Sequence, residues 1–417
     1  MRAAVRSVDV RIAVGLTVFA LALRLALVLA AGRTVTFDTG RTAFAFNDTF
    51  FYSWTGAAIA NGDGYSFLGH TTAHWPPGYS VFLGGVFKLF GTTNKNALIA
   101  NAVLGALTVP VVYAIARRAA DRTAAIVAAA ALAVFPGQLL MADVVLSETL
   151  YAFELVAFVA LALFLPRNRT TLVLLGIAAA LAALTRGEGL FLPLIVLALY
   201  GWSHASLRHA AAVVGVMVVA VTPWAIRTAD VAHGFVGLAG NSSFTLWSGH
   251  NDRADGGPVY QTQPELARLS AKSAADAAAE QRHDAFDWAV HHPGRELELI
   301  PLKLRALARG DALLIDTWID GPGQEPISGG AKQVARGVAS VASYGLIAAL
   351  LATVLLLART LWRNPALRAI LVFLALAIPL YGFVYYGNVR YRVPLEPLML
   401  IVAATGAVAL ARRRRPA

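Results

Sequence analysis

Asp48 stands in Phe46-Asn47-Asp48-Thr49-Phe50-Phe51-Tyr52-Ser53-Trp54, a lone carboxylate among aromatic rings just after the first long apolar run. Such surroundings strip water from a carboxylate and raise its proton affinity, which suits a general base that deprotonates an acceptor hydroxyl. Rings also stack on the apolar faces of sugars, and the ring-rich stretch continues through Tyr65 to His74-Trp75-Pro76-Pro77-Gly78-Tyr79. Tyr52, four residues after Asp48, shares its face if the stretch is helical. Asp48 is therefore a candidate catalytic group, and Tyr52, His74 and Tyr79 are candidate substrate contacts. The plainer reading of Asp48 is a loop carboxylate or helix cap. Asp38 and Asp63 are weaker candidates, since Asn61-Gly62-Asp63-Gly64 has a turn composition that accounts for Asp63.

Cations are needed as well. A sugar donor used outside the cytoplasm has no nucleotide pool to draw upon and is usually phosphate-linked to a lipid. Arg390-Tyr391-Arg392-Val393-Pro394 sets two guanidiniums at the edge of the last apolar run, where each can hold phosphate oxygens bidentately. Arg186 and Arg227 end two other runs and are candidate partners in donor-phosphate binding; snorkelling to the headgroups is the competing reading of each. Glu148 and Asp143 lie at the edges of the third and fourth runs and could orient Asp48, the acceptor or a cation. Asn241-Ser242-Ser243-Phe244-Thr245-Leu246-Trp247-Ser248-Gly249-His250-Asn251 is rich in turn-forming and hydrogen-bonding side chains, as a sugar-contacting loop would be, with Asn251 a candidate contact. His70 and His74 are spaced i, i+4, which permits metal binding on a helix, but Pro76-Pro77 argues against a long helix there. No metal ligand set is assigned, and a divalent metal is left open. No cytoplasmic Rossmann or phosphate-loop motif offers a nucleotide-sugar site.

These groups need a scaffold, and composition names its class. Of 417 residues, 58% are hydrophobic and 14% charged, with a mean hydropathy of +0.62, beyond what a soluble domain carries. The chain reads as an all-α polytopic membrane protein. With no cysteine, disulfides and thiol chemistry are excluded. The net charge of +11 does not point to nucleic acid, because the arginines cluster at the ends of apolar runs.

Runs at about 10–32, 97–116, 123–142, 149–166, 170–186, 188–203, 210–227, 335–358, 366–386 and 394–411 give about ten transmembrane helices. The first, preceded by Arg2, Arg6 and Arg11 and carrying Arg24, reads as a retained anchor rather than a signal peptide. Residues 79–90 are apolar but too short to cross and read as a juxtamembrane helix. With that choice Arg117, Arg118, Arg122, Arg167, Arg169, Arg208, Arg359, Arg363, Arg368 and Arg412 to Arg415 all fall on the side of the N-terminus, the cytoplasm. Most carboxylates fall on the other side. The working face is then extracytoplasmic, built from residues 33–96, with the candidate catalytic Asp, and 228–334, within a single membrane-embedded domain spanning 1–417. The latter segment is predicted to carry helices from Pro264 to about Val290 and from Gly294 to Arg309, the second with Leu297, Ile300, Leu304 and Leu307 on one face. Arg24 and Glu154, inside apolar runs, would each cost about 2.5–3.5 kcal/mol unless paired, and a mutual ion pair is the simplest expectation.

Taken in order, Asp48 with Tyr52, Trp75-Pro76-Pro77-Gly78-Tyr79, Ser147-Glu148-Thr149-Leu150-Tyr151, Thr185-Arg186-Gly187-Glu188-Gly189, Pro223-Trp224-Ala225-Ile226-Arg227, Leu246-Trp247-Ser248-Gly249-His250-Asn251 and Arg390-Tyr391-Arg392-Val393-Pro394-Leu395-Glu396-Pro397 span nearly the whole chain. In this the sequence resembles the GT-C superfamily of polyprenyl-phosphate-sugar-dependent glycosyltransferases, especially bacterial relatives of protein O-mannosyltransferases and of the lipid A aminoarabinose transferase. The resemblance implies a membrane-embedded site at the outer face, an inverting transfer from a lipid-phosphate sugar, Asp48 as base and Glu148 as the second acidic site residue. It also implies a bacterial plasma membrane location, and the arginine distribution puts both termini in the cytoplasm. Protein mannosyltransferases of this superfamily typically show Asp-Glu where this chain has Asp48-Thr49, so the acceptor is left among glycolipid, envelope polysaccharide and protein.

The partners expected are membrane lipids, a polyprenyl-phosphate sugar and a glycan, lipid or protein acceptor. A transporter or flippase is the alternative from another class, and a non-catalytic scaffold of envelope assembly a third. A transporter predicts ionisable groups along a central pathway and repeat symmetry, whereas here the polar groups concentrate in one outer layer.

Overall fold

The computed structural model describes residues 2–30, 47–319 and 329–413. Asp38, the rest of the stretch before Asn47, residues 320–328 and Arg414 and Arg415 lie outside the described residues.

The described residues are helical almost throughout. Its helices are α1 (Arg2–Ala30), α2 (Asn47–Asn61), α3 (Gly78–Phe90), α4 (Asn94–Ala119), α5 (Arg122–Val134), α6 (Pro136–Ala142), α7 (Glu148–Phe164), α8 (Arg169–Thr185), α9 (Pro193–Tyr200) and α10 (His204–Ala232). They continue with α11 (Asn241–Gly249), α12 (Gln263–Ser270), α13 (Ala274–His291), α14 (Pro293–Leu307), α15 (Ala312–Ile319), α16 (Gly329–Arg363), α17 (Pro365–Phe383), α18 (Val389–Arg392) and α19 (Glu396–Arg413). One short hairpin pairs β1 (Ser66–Phe67) with β2 (His70–Thr71), antiparallel, Ser66 opposite Thr71.

Among the described residues six helices are long and apolar enough to cross a membrane, or seven if the bent pair α5–α6 is one span. The expected count of ten is not reproduced on that measure. Residues 149–166 and 170–186 become α7 and α8, of 17 residues each, and 188–203 becomes a 3₁₀ turn running into the eight-residue α9. The α5–α6 bend of 49° falls at Pro136, which lacks the N–H needed to continue the helix. The juxtamembrane expectation for 79–90 corresponds to α3, at 13 residues too short to span.

Starts are set by polar side chains that take up the orphan N–H groups of a helix's first turn. Thr93 accepts from Asn96 N at 3.2 Å, Asp121 from Ala124 N at 3.0 Å, and Asn168 from Thr171 N at 2.9 Å. Ser273 does the same for α13, which is why the single helix expected over 264–290 is two helices. Close packing comes from small side chains: Ala124, Ala125, Ala128, Ala129 and Ala133 of α5 are all buried, against α4 and α19.

Two expectations about charged groups change. Arg24, with no exposed surface, does not pair with Glu154: its guanidinium donates to the carbonyls of Ala133 (3.0 Å), Leu132 (3.3 Å) and Ala20 (3.2 Å). It thereby caps the C-terminal end of α5, where carbonyls lack helical partners and the dipole favours a cation. Gly105 of α4 makes room, since a Cβ there would come within 2.8 Å of Arg24 Nε. Glu154 accepts instead from Thr185 Oγ1 at 3.0 Å. In α14 the buried row is Leu299, Lys303 and Leu307, while Leu297 is exposed, because this row packs on α17 and α18.

The two ends of the bundle differ in chemistry. At one end Asp9 takes hydrogen bonds from Tyr113 (2.8 Å), Arg117 (3.3 Å) and Arg122 (2.7 Å), and Arg412 pairs with Asp121. At the other end the starts of α2, α7 and α18 meet the end of α8.

Candidate active site

Asp48 and Glu148 each occupy the first turn of a helix, α2 and α7, where the positive end of the macrodipole favours a carboxylate. Arg390, in the single turn of α18 capped by Asn388 Oδ1, reaches both. Its Nη2 lies 2.9 Å from Asp48 Oδ2 and 2.9 Å from Glu148 Oε1, and its Nε donates to Glu148 Oε1 at 2.9 Å. Arg186, the cation at the C-terminal end of α8, adds Nη1 at 3.3 Å from Glu148 Oε1 and Nη2 at 3.2 Å from Glu188 Oε1. Tyr381 donates to Glu188 Oε1 at 2.5 Å, closing a row of alternating charge from Asp48 to α17. Glu148 has no exposed surface, and its Oε2 has no hydrogen-bond partner among the described residues.

The row lines a cavity of about 420 Å³. Asp48, Arg186, Glu188 and Arg390 reach it, with Tyr52, Trp75 and Tyr391 among its aromatic walls. Tyr52 stands edge-on to Tyr79 at 5.0 Å, and Tyr381 stacks on Tyr391 at 4.6 Å. Burial first, then the nearby Asp48 charge, pushes the Tyr52 phenol above its ordinary range, so it stays a neutral donor toward Ser147 Oγ, 3.5 Å away. The motif Pro76-Pro77-Gly78-Tyr79 has a positioning role. A Cβ on Gly78 would sit 2.8 Å from Thr185 Cα, so glycine lets the start of α3 press against the end of α8 beside Arg186.

The other sequence candidates lie apart from this cavity. Tyr79 is buried against Asn101, its hydroxyl 3.1 Å from Oδ1. His74 is exposed, 5.1 Å from the Trp75 ring. Arg227 donates to the carbonyls of Thr72 (2.9 Å) and Tyr65 (3.1 Å) and covers the Trp224 ring at 4.6 Å, which fixes the β1–β2 hairpin. Arg392 is buried in a separate network with Asp311 and Glu396 and donates to the Leu307 and Arg309 carbonyls. Asp143, fully buried, ends α6. The expected sugar loop 241–251 is the helix α11, with Asn241, Ser242 and Thr245 on the cavity wall; Asn251 turns back to the carbonyls of Trp247 and Ser248. Glu188, Ser147 and Tyr381 are residues of this site without a role assigned from sequence, though Arg186-Gly187-Glu188 already set opposite charges astride a glycine.

The site does not suit a divalent cation. Its meeting carboxylates, Asp48 and Glu148, are already bridged by a guanidinium, and His70 lies in a β-strand rather than on a helix face with His74. Among the described residues no three His, Asp or Glu side chains converge as ligands.

The fold has solved counterparts. The apo oligosaccharyltransferase of Archaeoglobus fulgidus superposes over 96% of this chain with a TM-score of 0.55 at 15% identity, and its complex with Zn and sulfate over 95% with 0.52 at 17%. The protein has the GT-C fold. The chain spans about half the length of that oligosaccharyltransferase, 51% and 49% in the two structures. ArnT from Cupriavidus metallidurans bound to undecaprenyl phosphate is a looser likeness, with a TM-score of 0.43 at 19% identity over 99% of this chain and 79% of its own. Residues 74–228 match the dolichyl-phosphate-mannose-protein mannosyltransferase family, a stretch of the GT-C scaffold that holds Glu148 and Arg186 but neither Asp48 nor Arg390. No curated protein matches the sequence.

Proposed function

We propose that this GT-C protein is a glycosyltransferase that moves a sugar from a polyprenyl-phosphate donor to a hydroxyl acceptor, with inversion, on the extracytoplasmic side of a bacterial plasma membrane. The observation that carries the reading is the contact of Asp48 with Arg390 on the wall of the 420 Å³ cavity, a base candidate and a phosphate-binding cation within one site. The family matched by residues 74–228, whose description names dolichyl-phosphate-mannose, supports it. So does the likeness to the Archaeoglobus oligosaccharyltransferase, one structure of which holds a dolichol-phosphate and an inhibitory peptide.

In this mechanism the donor phosphate lies against Arg390 and Arg186, whose guanidiniums can each hold two oxygens. The acceptor hydroxyl oxygen attacks the anomeric carbon from the face opposite the phosphate, and its proton passes to Asp48. Asp48 Oδ2 is held by Arg390, which leaves Oδ1 for that proton. The bond from the anomeric carbon to the phosphate oxygen breaks with its electron pair on the phosphate, where the two cations stabilise the growing charge. Glu148 contributes by fixing both arginines through one oxygen, Oε1. Arg227, Arg392, Tyr79, Asp143, His74 and Asn251 lie outside the cavity lining and have no part in this mechanism.

The test is direct. Purified protein in liposomes is given radiolabelled polyprenyl-phosphate sugars one at a time, with envelope lipid extract as acceptor. Release of free polyprenyl phosphate with transfer of label is expected for one donor. Donor binding without consumption of any sugar would favour a transporter instead.

A further inference from the structure

A second cavity, of about 530 Å³, adjoins the first, and Ser242 and Tyr385 belong to the walls of both. Its lining includes His250 and Glu296, with Lys303 close by. His250, 6% exposed, sets Nδ1 at 2.6 Å from Glu296 Oε1 and Nε2 at 3.0 Å from the Val384 carbonyl. Lys303, 1% exposed, lies 3.9 Å from Glu296 Oε2. This cluster ties α11 to α14 and to the end of α17, so the cavity is held open by three elements. It also gives Glu296 partners of its own, the His250 ring and the Lys303 amine. Arg282 is different: its hydrogen bond goes to a neutral hydroxyl, Ser243 Oγ, at 2.9 Å, which leaves a half-buried cation facing the cavity.

The rest of the lining is apolar, and its rim is oily. Phe383, the last residue of the membrane-length α17, is 56% exposed, and Phe286 of α13 is 62% exposed. Rings standing bare at the end of a spanning helix are at home against lipid rather than water. Ala285 and Ala289, one turn apart on α13, leave the hollow between them and α17.

We propose that this cavity seats a lipid acceptor whose anionic, hydroxyl-bearing headgroup lies on Arg282, Ser242 and Ser243 while its chains leave between Phe286 and Phe383 into the bilayer. The inference rests on the glycosyl-transfer reading and gives its acceptor a chemical class. A headgroup held there extends a hydroxyl over the shared Ser242–Tyr385 wall toward Asp48. Charge complementarity supplies the headgroup preference, and exposed rings at a helix end supply the chain path.

The experiment uses the full chain in phosphatidylcholine liposomes containing a trace of diazirine-bearing phosphatidylinositol, an anionic lipid with free hydroxyls. After irradiation, adducts are mapped by mass spectrometry, and undecaprenyl phosphate affinity is measured on the same samples. Adducts are expected on residues 282–289 and 383–385, reduced about tenfold in Arg282→Gln and in Ala289→Trp. Unchanged undecaprenyl phosphate affinity in both variants shows that the first cavity is intact. Adducts elsewhere, undiminished adducts in the variants, or equal labelling by neutral diazirine phosphatidylcholine would overturn the proposal. Failure of the unaltered protein to bind undecaprenyl phosphate would strike the donor reading instead, while labelling in the second cavity stands or falls on its own.

Discussion

Asp48 Oδ2 accepts a 2.9 Å hydrogen bond from Arg390 Nη2 across 342 residues of sequence. The contact joins the first turn of α2 to the turn before α19, and Glu148 shares the same guanidinium. In the proposed mechanism the base and the donor cation thus hold each other in position before either substrate arrives.

Asp48→Asn keeps the shape of the side chain and removes its capacity to take a proton. Transfer is expected to fall by about 10²–10⁴-fold, the usual worth of a general base, with donor affinity retained. Turnover and undecaprenyl phosphate binding are measured on the same preparation, and near-normal turnover would end the assignment.

Arg390→Ala leaves Glu148, which has no exposed surface, short of its main cation. Removing one partner of a buried pair costs about 3–5 kcal/mol. A clear drop in unfolding temperature in detergent is expected, and Arg390→Ala combined with Glu148→Gln should recover much of it. Neither variant should bind donor phosphate normally.

Arg392→Ala is expected to separate stability from binding. Arg392 neutralises Asp311 and Glu396 away from the cavity, so its loss should also destabilise by about 3–5 kcal/mol while the folded protein binds donor phosphate as before. Weakened phosphate affinity in the folded fraction would return Arg392 to the site.

Lys303 supplies a pH dependence. Burial lowers its amine from 10.5 to about 8, partly offset by Glu296. Between those values the unfolded chain holds a proton that the folded chain has released, so stability rises with pH across this window. Below pH 8 the burial penalty is present in full, on the order of 3 kcal/mol. Lys303→Met should therefore gain on the unaltered protein at pH 7 and lose that advantage by pH 10.5, as followed by thermal unfolding. A pH-independent difference would contradict the burial account.

Gly78→Ala tests the contact of α3 with α8. A Cβ within 2.8 Å of Thr185 Cα must push the end of α8 aside, and overpacking of this kind costs about 1–3 kcal/mol. Because Arg186 is the next residue, donor affinity should weaken as well; a stability loss with unaltered affinity would show that Arg186 does not depend on this packing.

Membrane character was legible in composition alone, because apolar content and run length depend on residue type and not on partners. Asp48, Glu148, Arg186 and Arg390 were also readable as candidates, since carboxylates and guanidiniums at the edges of apolar runs have few roles, and the structure brings the four together. Helix breaks were harder. Pro136 and Ser273 each divide what hydropathy reads as one segment, and a window average does not register a missing N–H or a cap.

The sequence by itself determined the all-helical membrane class and a pool of candidate charges at one end of the bundle. Only the tertiary structure decided among those charges. Arg390 and Arg392, two residues apart, enter different networks because successive side chains in a helical turn point in different directions. Arg24 lies against the carbonyls of α5 rather than Glu154, and Lys303 turns inward to Glu296. Each outcome depends on which group the folded chain brings within about 3–4 Å, from a neighbouring helix for Arg24 and from two turns away on α14 for Lys303, and in a low-dielectric interior that distance decides which charges are satisfied.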